Sequence, residues 1–378
     1  MGNPLTDLVI YVYVPLCTER CTFCSRLRVP STIALVERYA NALLREIEFV
    51  ADEPLAGTVR AVRFTGGVPL LLGGHTIARL VQRLKRRFAF ADDVEITVET
   101  VPGKIDEHNF RLFGTLGVNR LELLYPTGNA GEHRALCCPG DYEQLHEHNS
   151  MRRAFGLENW SVRLPYGMPG QTAEHWRRTL DKACAMRPPH VTLERSAGTE
   201  LGERDGAFAR YRQARALLED AGYRRYAGAR FALPGAESKY EQLLLAGSDV
   251  IGLGVGAASF VEGVVFRNRS DVASYVEEAG GLGAIADAPV ALDVDSLQKK
   301  FVRDRLLTGE GLRLRAFEDA FGGAAGAHVL ASLDRLVGER LAERACNEGE
   351  LRYTLSDRGV FEGDAVEAAL DNASFDLG

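Results

Sequence analysis

The sequence predicts an α/β fold: a partial (β/α)6 barrel of the TIM type over residues 1–245, then a mainly helical, winged-helix-like domain over 246–378. Three observations predict it. Six apolar strand-like segments, each followed by a helical stretch, run in order through the first two thirds of the 378 residues. A closed eightfold barrel needs more units than this span holds, so the sheet is expected to be curved and partial. Near residue 245 the alternation stops, and a glycine-rich stretch and helices take over.

The elements follow in order. Leu8 to Val14 is a short β-branched run, the signature of a buried strand. Residues 33–50 look helical, and the next strand lies around Val59 to Phe64. Ile77, Leu80, Val81, Leu84 and Phe88 then fall on one face at helical spacing. Val94, Ile96 and Val98 alternate as a strand does. Residues 120–125, 161–165 and 190–195 complete the set. In such sheets reactive groups sit at the C-terminal strand ends. Beyond residue 245, Gly252, Gly254 and Gly256 mark a tight stretch of backbone. Helices at Asp295–Thr308 and His328–Arg344 and a terminal segment, Leu351–Gly359, read as a small helical domain with a hairpin.

Composition narrows the function. There are 45 basic and 52 acidic residues, a formal charge of −7, and arginines are interleaved with carboxylates. That argues against nucleic-acid binding, which needs a cationic face. No apolar run reaches the roughly 18 residues of a membrane span. The first fifteen residues lack a basic segment ahead of their apolar stretch, so a cytoplasmic setting is expected. In a reducing compartment cysteines serve more often as ligands or catalysts than in disulfides.

Of the seven cysteines, Cys17, Cys21 and Cys24 form C-x3-C-x2-C directly after the first strand. Three thiolates on one loop can hold three corners of a cubane. Full ligation takes four cysteines, so one iron keeps an open position, the mark of a catalytic centre. The alternatives are structural zinc, which wants a fourth Cys or His, and coincidence; no His occurs before His75. Cys137-Cys138 reads as an incidental pair in a loop.

With Phe23 just before the third cysteine, this motif resembles the radical S-adenosylmethionine (SAM) superfamily. The resemblance implies a [4Fe–4S] cluster on Cys17, Cys21 and Cys24, whose open iron is chelated by the amino and carboxylate groups of SAM. It extends over nearly the whole chain toward the oxygen-independent coproporphyrinogen III oxidases and their heme-chaperone relatives. Tyr11-Val-Tyr-Val-Pro-Leu-Cys17 is similar to their leader strand, and Arg63-Phe-Thr-Gly66-Gly67-Val68-Pro69 to their GGGTP segment. Glu99-Thr-Val-Pro-Gly103 resembles E-x-N-P-G, and Gly117-Val-Asn119-Arg120-Leu121 matches G-V-N-R-L. Pro165-Tyr166-Gly167-Met-Pro169-Gly170-Gln171-Thr172 with Trp176 is close to YGLPGQT…W. Phe231–Gly235, Gly252–Ala257 and Leu355–Gly359 resemble the later landmarks. The resemblance implies that Tyr11, Phe23, Gly66, Gly67, Val68 and Glu99 contact SAM. By their chemistry alone, Gly66-Gly67 could be a simple turn, Glu99 an exposed acid and Tyr11 a core aromatic.

Departures from the pattern shape the expected reaction. Pro126, Cys138 and Arg163 stand where the family has Gln, Arg and Asp that help to bind SAM, and Val101 replaces Asn. Arg163 could bind a substrate carboxylate or close a salt bridge across the barrel. Lys239-Tyr240…Leu243-Leu244 replaces the His-Asn…Tyr-Trp of heme chaperones. The expectation is therefore radical C-methylation or cyclopropanation of a small organic substrate, using one or two SAM. Its alternatives are coproporphyrinogen-type oxidative decarboxylation and a non-catalytic heme chaperone. An electron donor such as flavodoxin or ferredoxin is the implied partner, with neither nucleic acid nor a membrane span involved.

Overall fold

The computed structural model describes residues 7–53, 57–196, 204–286, 288–323, 326–347 and 349–370. Its centre is one twelve-stranded sheet. The six expected strands are β1 (Asp7–Val14), β4 (Thr58–Gly66), β5 (Phe90–Thr100), β6 (Arg120–Leu124), β7 (Trp160–Tyr166) and β8 (His190–Arg195), paired in parallel in that order. Between β1 and β4, β2 (Leu16–Cys17) and β3 (Val29–Pro30) form a separate two-stranded ladder. Two antiparallel strands, β9 (Arg224–Ala227) and β10 (Arg230–Ala232), extend the β8 edge. On the other side β11 (Asp249–Leu253) lies parallel to β1, and β12 (Ala258–Val261), β13 (Val264–Arg267) and β14 (Val290–Ala291) continue antiparallel. The sheet is the partial α/β barrel expected.

The strands form where both faces can be buried. In β1, Leu8, Val9, Ile10, Tyr11, Val12 and Val14 are all buried, as befits a parallel strand covered on two sides. The helix Gly74–Arg87 turns Ile77, Ala78, Leu80, Val81 and Leu84 inward and places Lys85, Arg86 and Arg87 in its last turn, where cations suit the helix dipole. Asp106 with Asn109, and Asp141 with Gln144, form reciprocal caps at the starts of Glu107–Leu116 and Tyr142–Ala154.

Packing corrects two sequence boundaries. The sheet does not stop at residue 245: β11 joins β1, and Ile251, Leu253, Val255, Tyr275 and Val276 pack in the barrel core. A second core gathers Val302, Leu306, Phe317, Leu333, Leu336, Tyr353 and Leu355. It holds the helices Val294–Leu307, Leu314–Phe321 and Ala327–Gly338 against a small sheet of β15 (Leu312–Arg313), β16 (Ala342–Asn347) and β17 (Glu350–Leu355). The helix expected over His328–Arg344 ends at Gly338, because Ala342–Arg344 pair with Tyr353–Leu355 in a hairpin. No helix among the described residues is long and apolar enough to cross a membrane.

The glycine stretch after β11 is held by a buried acid. Gly254 has φ +107° and donates its N–H to Glu46 Oε2 at 2.8 Å, and Tyr275 donates to the same oxygen at 2.6 Å. Asn268 donates to the other oxygen and, at 2.8 Å, to the Gly254 carbonyl. Burial pushes the Glu46 carboxyl up to about 7 despite these donors. The folded state therefore binds a proton that the unfolded state has released between the ordinary carboxylate range and pH 7. This contribution to stability is present at low pH and is lost as pH rises through 7. Urea unfolding at pH 5 and pH 8 is expected to differ by a component of roughly 3 kcal/mol that disappears in Glu46→Gln.

Candidate cofactor site

The cysteine loop grows out of the end of β1. β2 and β3 pair Leu16 with Val29 and Cys17 with Pro30, closing residues 17–29 into a ring. Val29 N–H donates to Pro15 O at 2.8 Å and Ser31 N–H to Cys17 O at 3.1 Å. Opposite, the strap after β4 docks on the same strand end: Gly67 N–H donates to Val14 O (2.7 Å) and Val68 N–H to Leu16 O (2.8 Å). A side chain at Gly67 would put its Cβ 2.4 Å from Leu16 O and 2.8 Å from Cys17 Sγ, so only glycine lets the strap lie this close. Gly66 has φ +110°, which favours glycine for a second reason.

Cys17, Cys21, Cys24, Phe23, Gly66, Gly67 and Val68 line one small cavity of about 50 Å³. The three cysteines are free and partly buried. Burial and the neighbouring Cys24 and Cys21 push the Cys17 thiol up to about 11. A thiol that resists ionisation alone is released by metal, because the bound form is the thiolate. Among the described residues no three His, Cys, Asp or Glu side chains converge on one point that a single metal ion could occupy. A cubane instead spreads its thiolates over separate irons, and three cysteines around one glycine-floored cavity fit it.

Cys138 is not incidental. It is buried with Phe23, Leu136 and Met168, against Cys21 and Cys24. Thr22 N–H donates to Leu136 O at 3.1 Å and ties its loop to the cysteine ring. A thiol hydrogen bond with Cys138 holds Cys21 below the ordinary thiol range, and the same contact with burial raises Cys138. Cys137 is exposed with φ +49°.

Beyond this cavity the barrel interior is charged. Glu99 is 1% exposed, so it is no surface acid. Its carboxylate accepts from Arg63 Nε (2.7 Å), Thr65 Oγ1 (2.8 Å), Arg26 Nη1 (2.9 Å) and Arg163 Nη1 (3.1 Å). Burial alone would raise this carboxyl, but Arg63, Arg163 and Arg26 hold it well below the usual range. Arg63 also donates to Glu122 (3.1 Å) and Glu241 (2.8 Å), Arg230 pairs with Glu241 (2.9 Å) and Arg163 with Glu194 (3.2 Å). Of the two roles open to Arg163, the structure shows the cross-barrel salt bridge. Four guanidinium groups thus face four carboxylates.

Six of these groups, Arg26, Arg63, Arg230, Glu99, Glu194 and Glu241, wall a second chamber of about 510 Å³, which reaches solvent past the exposed Arg267 and Ser270. Tyr11 lines this chamber and not the cluster cavity. Its hydroxyl accepts from Ala258 N–H at 2.5 Å and its ring packs with Val9, Tyr240 and Ala257. Glu99 lines the chamber too, whereas Arg26 and Glu194 line both spaces. Of the six residues expected at SAM, Phe23, Gly66, Gly67 and Val68 line the cysteine cavity, whereas Glu99 and Tyr11 line the adjoining chamber.

Residues 11–183 match the family model described as the radical SAM superfamily. These residues form a radical SAM domain. The family of that domain implies a [4Fe–4S] cluster and SAM. The chain is 23% identical to the heme chaperone HemW of Lactococcus lactis, over 97% of this chain and 98% of that one. It is 32% identical to an anaerobic coproporphyrinogen III oxidase of Cereibacter sphaeroides, over 50% of this chain and 43% of that one. Its fold matches the coproporphyrinogen III oxidase of Escherichia coli, described as a radical SAM enzyme, with a TM-score of 0.83 at 21% identity over 98% and 91% of the two chains.

Sequence reading missed Arg26, Arg63, Thr65, Glu122, Glu194 and Glu241. A signal for most of them was present: Arg63/Thr65, Thr97/Glu99, Arg120/Glu122, Ser161/Arg163 and Thr192/Glu194 are polar pairs two residues apart inside apolar strands. Spacing of two puts each pair on one face of the sheet.

Proposed function

We propose that this protein is a radical SAM enzyme that oxidatively decarboxylates a carboxylate-bearing substrate of the coproporphyrinogen kind. The observation that carries it is the pairing of two spaces: the three-cysteine cavity shares Arg26 and Glu194 as a wall with the larger chamber. Arg26, Arg63, Arg230 and Arg267 face that chamber against Glu99, Glu194 and Glu241, one cation in excess. Guanidinium groups suit carboxylates because their planar forks match.

Bound to the cluster, SAM supplies a 5′-deoxyadenosyl radical, with the reducing electron arriving from a donor such as flavodoxin or ferredoxin. The chain's part is to place the substrate. Arginines at the chamber wall would hold the substrate carboxylate near the cysteine cavity, and the apolar cavity lining would keep water from the radical. With the carboxylate so held, the carbon β to the carboxylate carbon would face the cysteine cavity and would give a hydrogen atom to the radical that bound SAM supplies. Carbon dioxide then departs, and one electron passes to a one-electron acceptor, leaving an alkene. Methylation or cyclopropanation, which the departures suggest from sequence, finds no support in the relatives named above.

A heme-carrier reading is favoured by the full-length match to HemW. Against it stands the segment Lys239–Ala246, a helix that places Tyr240 in the core and commits Glu241 to Arg63 and Arg230. No histidine lines the chamber among the described residues.

Anaerobic turnover of the reconstituted protein with SAM, dithionite, coproporphyrinogen III and a one-electron acceptor is expected to yield a product lighter by carbon dioxide and two hydrogens. Tight stoichiometric heme binding with no change in porphyrinogen mass would overturn the enzyme reading in favour of the carrier.

A further inference from the structure

Arg26 lies two residues beyond the last cluster cysteine, on the ring closed by β2 and β3. Its neighbours are pinned. The Cys24 carbonyl accepts from Arg28 Nη1 at 2.6 Å, and the Leu27 carbonyl from Tyr13 Oη at 2.9 Å. The Arg26 side chain reaches across the strap after β4. Its Nη1 donates to Gly66 O at 3.0 Å and to Glu99 Oε2 at 2.9 Å, with Thr65 Oγ1 at 3.4 Å. It remains 29% exposed, so it is held by these acceptors and is not entombed. It also stands in the shared wall of the two cavities.

The Gly66 carbonyl and the Glu99 carboxylate are the acceptors at this wall that a cationic ligand with N–H donors would use. SAM is such a ligand: its sulfonium is cationic and its amino group donates. Arg26 already presents the same chemistry to both acceptors, and like charges at one site exclude each other.

We propose that Arg26 is a resident cation in the position the amino group of SAM takes, so that cofactor binding requires its guanidinium to swing off Gly66 and Glu99. This rests on the SAM reading above. Because only the side chain must move, displacement leaves the cysteine ring in place and opens the wall between the cluster cavity and the chamber. Arg26 is then a positioning residue that sets SAM affinity and couples cofactor entry to the passage toward substrate.

The test is SAM binding to the anaerobically reconstituted full-length protein, followed by equilibrium dialysis and by the perturbation of the reduced cluster's EPR spectrum. Arg26→Gln, with full iron and sulfide content, is expected to bind SAM about tenfold more tightly, the size of one freed charge-assisted hydrogen bond. Methylthioadenosine lacks the amino acid moiety, and its affinity is expected not to change. Arg26→Lys keeps a charge but spans the two acceptors poorly. It should fall between, and it serves if Arg26→Gln fails to hold the cluster. Equal or weaker SAM binding by these variants overturns the proposal, as does an equal gain for methylthioadenosine. If neither wild type nor variants show any EPR response at millimolar SAM, the SAM reading fails and takes this proposal with it, a result distinct from an unchanged but measurable affinity.

Discussion

Replacing Cys24 by Ala is expected to abolish iron–sulfur assembly and, with it, all formation of 5′-deoxyadenosine. The loop offers three thiolates to one cavity, and Gly67 brings the opposite wall to 2.8 Å of Cys17 Sγ for any added carbon. With two ligands left, a cubane loses half of its usual four-cysteine anchorage. The nearby Cys138 is expected not to rescue it, because its thiol is hydrogen-bonded to Cys21 and buried with Phe23 and Met168. Iron and sulfide analysis after reconstitution checks the first step, and mass spectrometry of nucleosides the second. A Cys24→Ala protein that still carries a full cluster and cleaves SAM would remove the three-cysteine assignment.

The second large effect is on stability. Arg63 is the hub of the barrel interior, and it touches Glu99, Glu122 and Glu241, whose side chains alone are 2%, 5% and 7% exposed. Arg63→Ala leaves these three carboxylates with Arg26, Arg163 and Arg230 on their flanks and no cation between them. Removing one partner of a buried ion pair costs about 3–5 kcal/mol, since the other charge stays desolvated. A large drop in the thermal midpoint is expected. Arg63→Ala combined with Glu122→Gln should lose less than the sum of the two single changes, because the second removes a charge that the first orphaned. Strict additivity would show that water reaches the cluster of charges and screens it.

The contrast between the cysteine loop and this ion network shows what could be read from the chain. The loop was legible because its chemistry is local: three cysteines in eight residues, a strand before them, and a glycine pair whose backbone role needs no partner to identify. The parallel order of β1 and β4 to β8 was legible for a similar reason, since each apolar run is followed by an amphipathic helix. The network was not legible as a unit. Arg26, Arg63, Glu99 and Glu241 lie far apart in sequence, and only the curvature of the sheet brings them to one chamber. Tyr11 was placed by analogy at the cofactor, but strand alternation turns its ring into the interior under Gly252, where a Cβ would sit 2.9 Å from it. The boundary near residue 245 followed a change of pattern, yet β11 returns to pair with β1, a long-range choice that local pattern does not record. Cys138 passed as one of two adjacent loop cysteines until folding set it against Cys21.

The central claim is that this chain holds a cluster that opens SAM to radical cleavage. The most direct test is to reconstitute the protein anaerobically, verify the [4Fe–4S] cluster by Mössbauer spectroscopy, add SAM and dithionite, and quantify nucleosides by mass spectrometry. The account predicts 5′-deoxyadenosine from wild type and none from Cys24→Ala. A verified cluster that yields no 5′-deoxyadenosine, with coproporphyrinogen III present or absent, would contradict it.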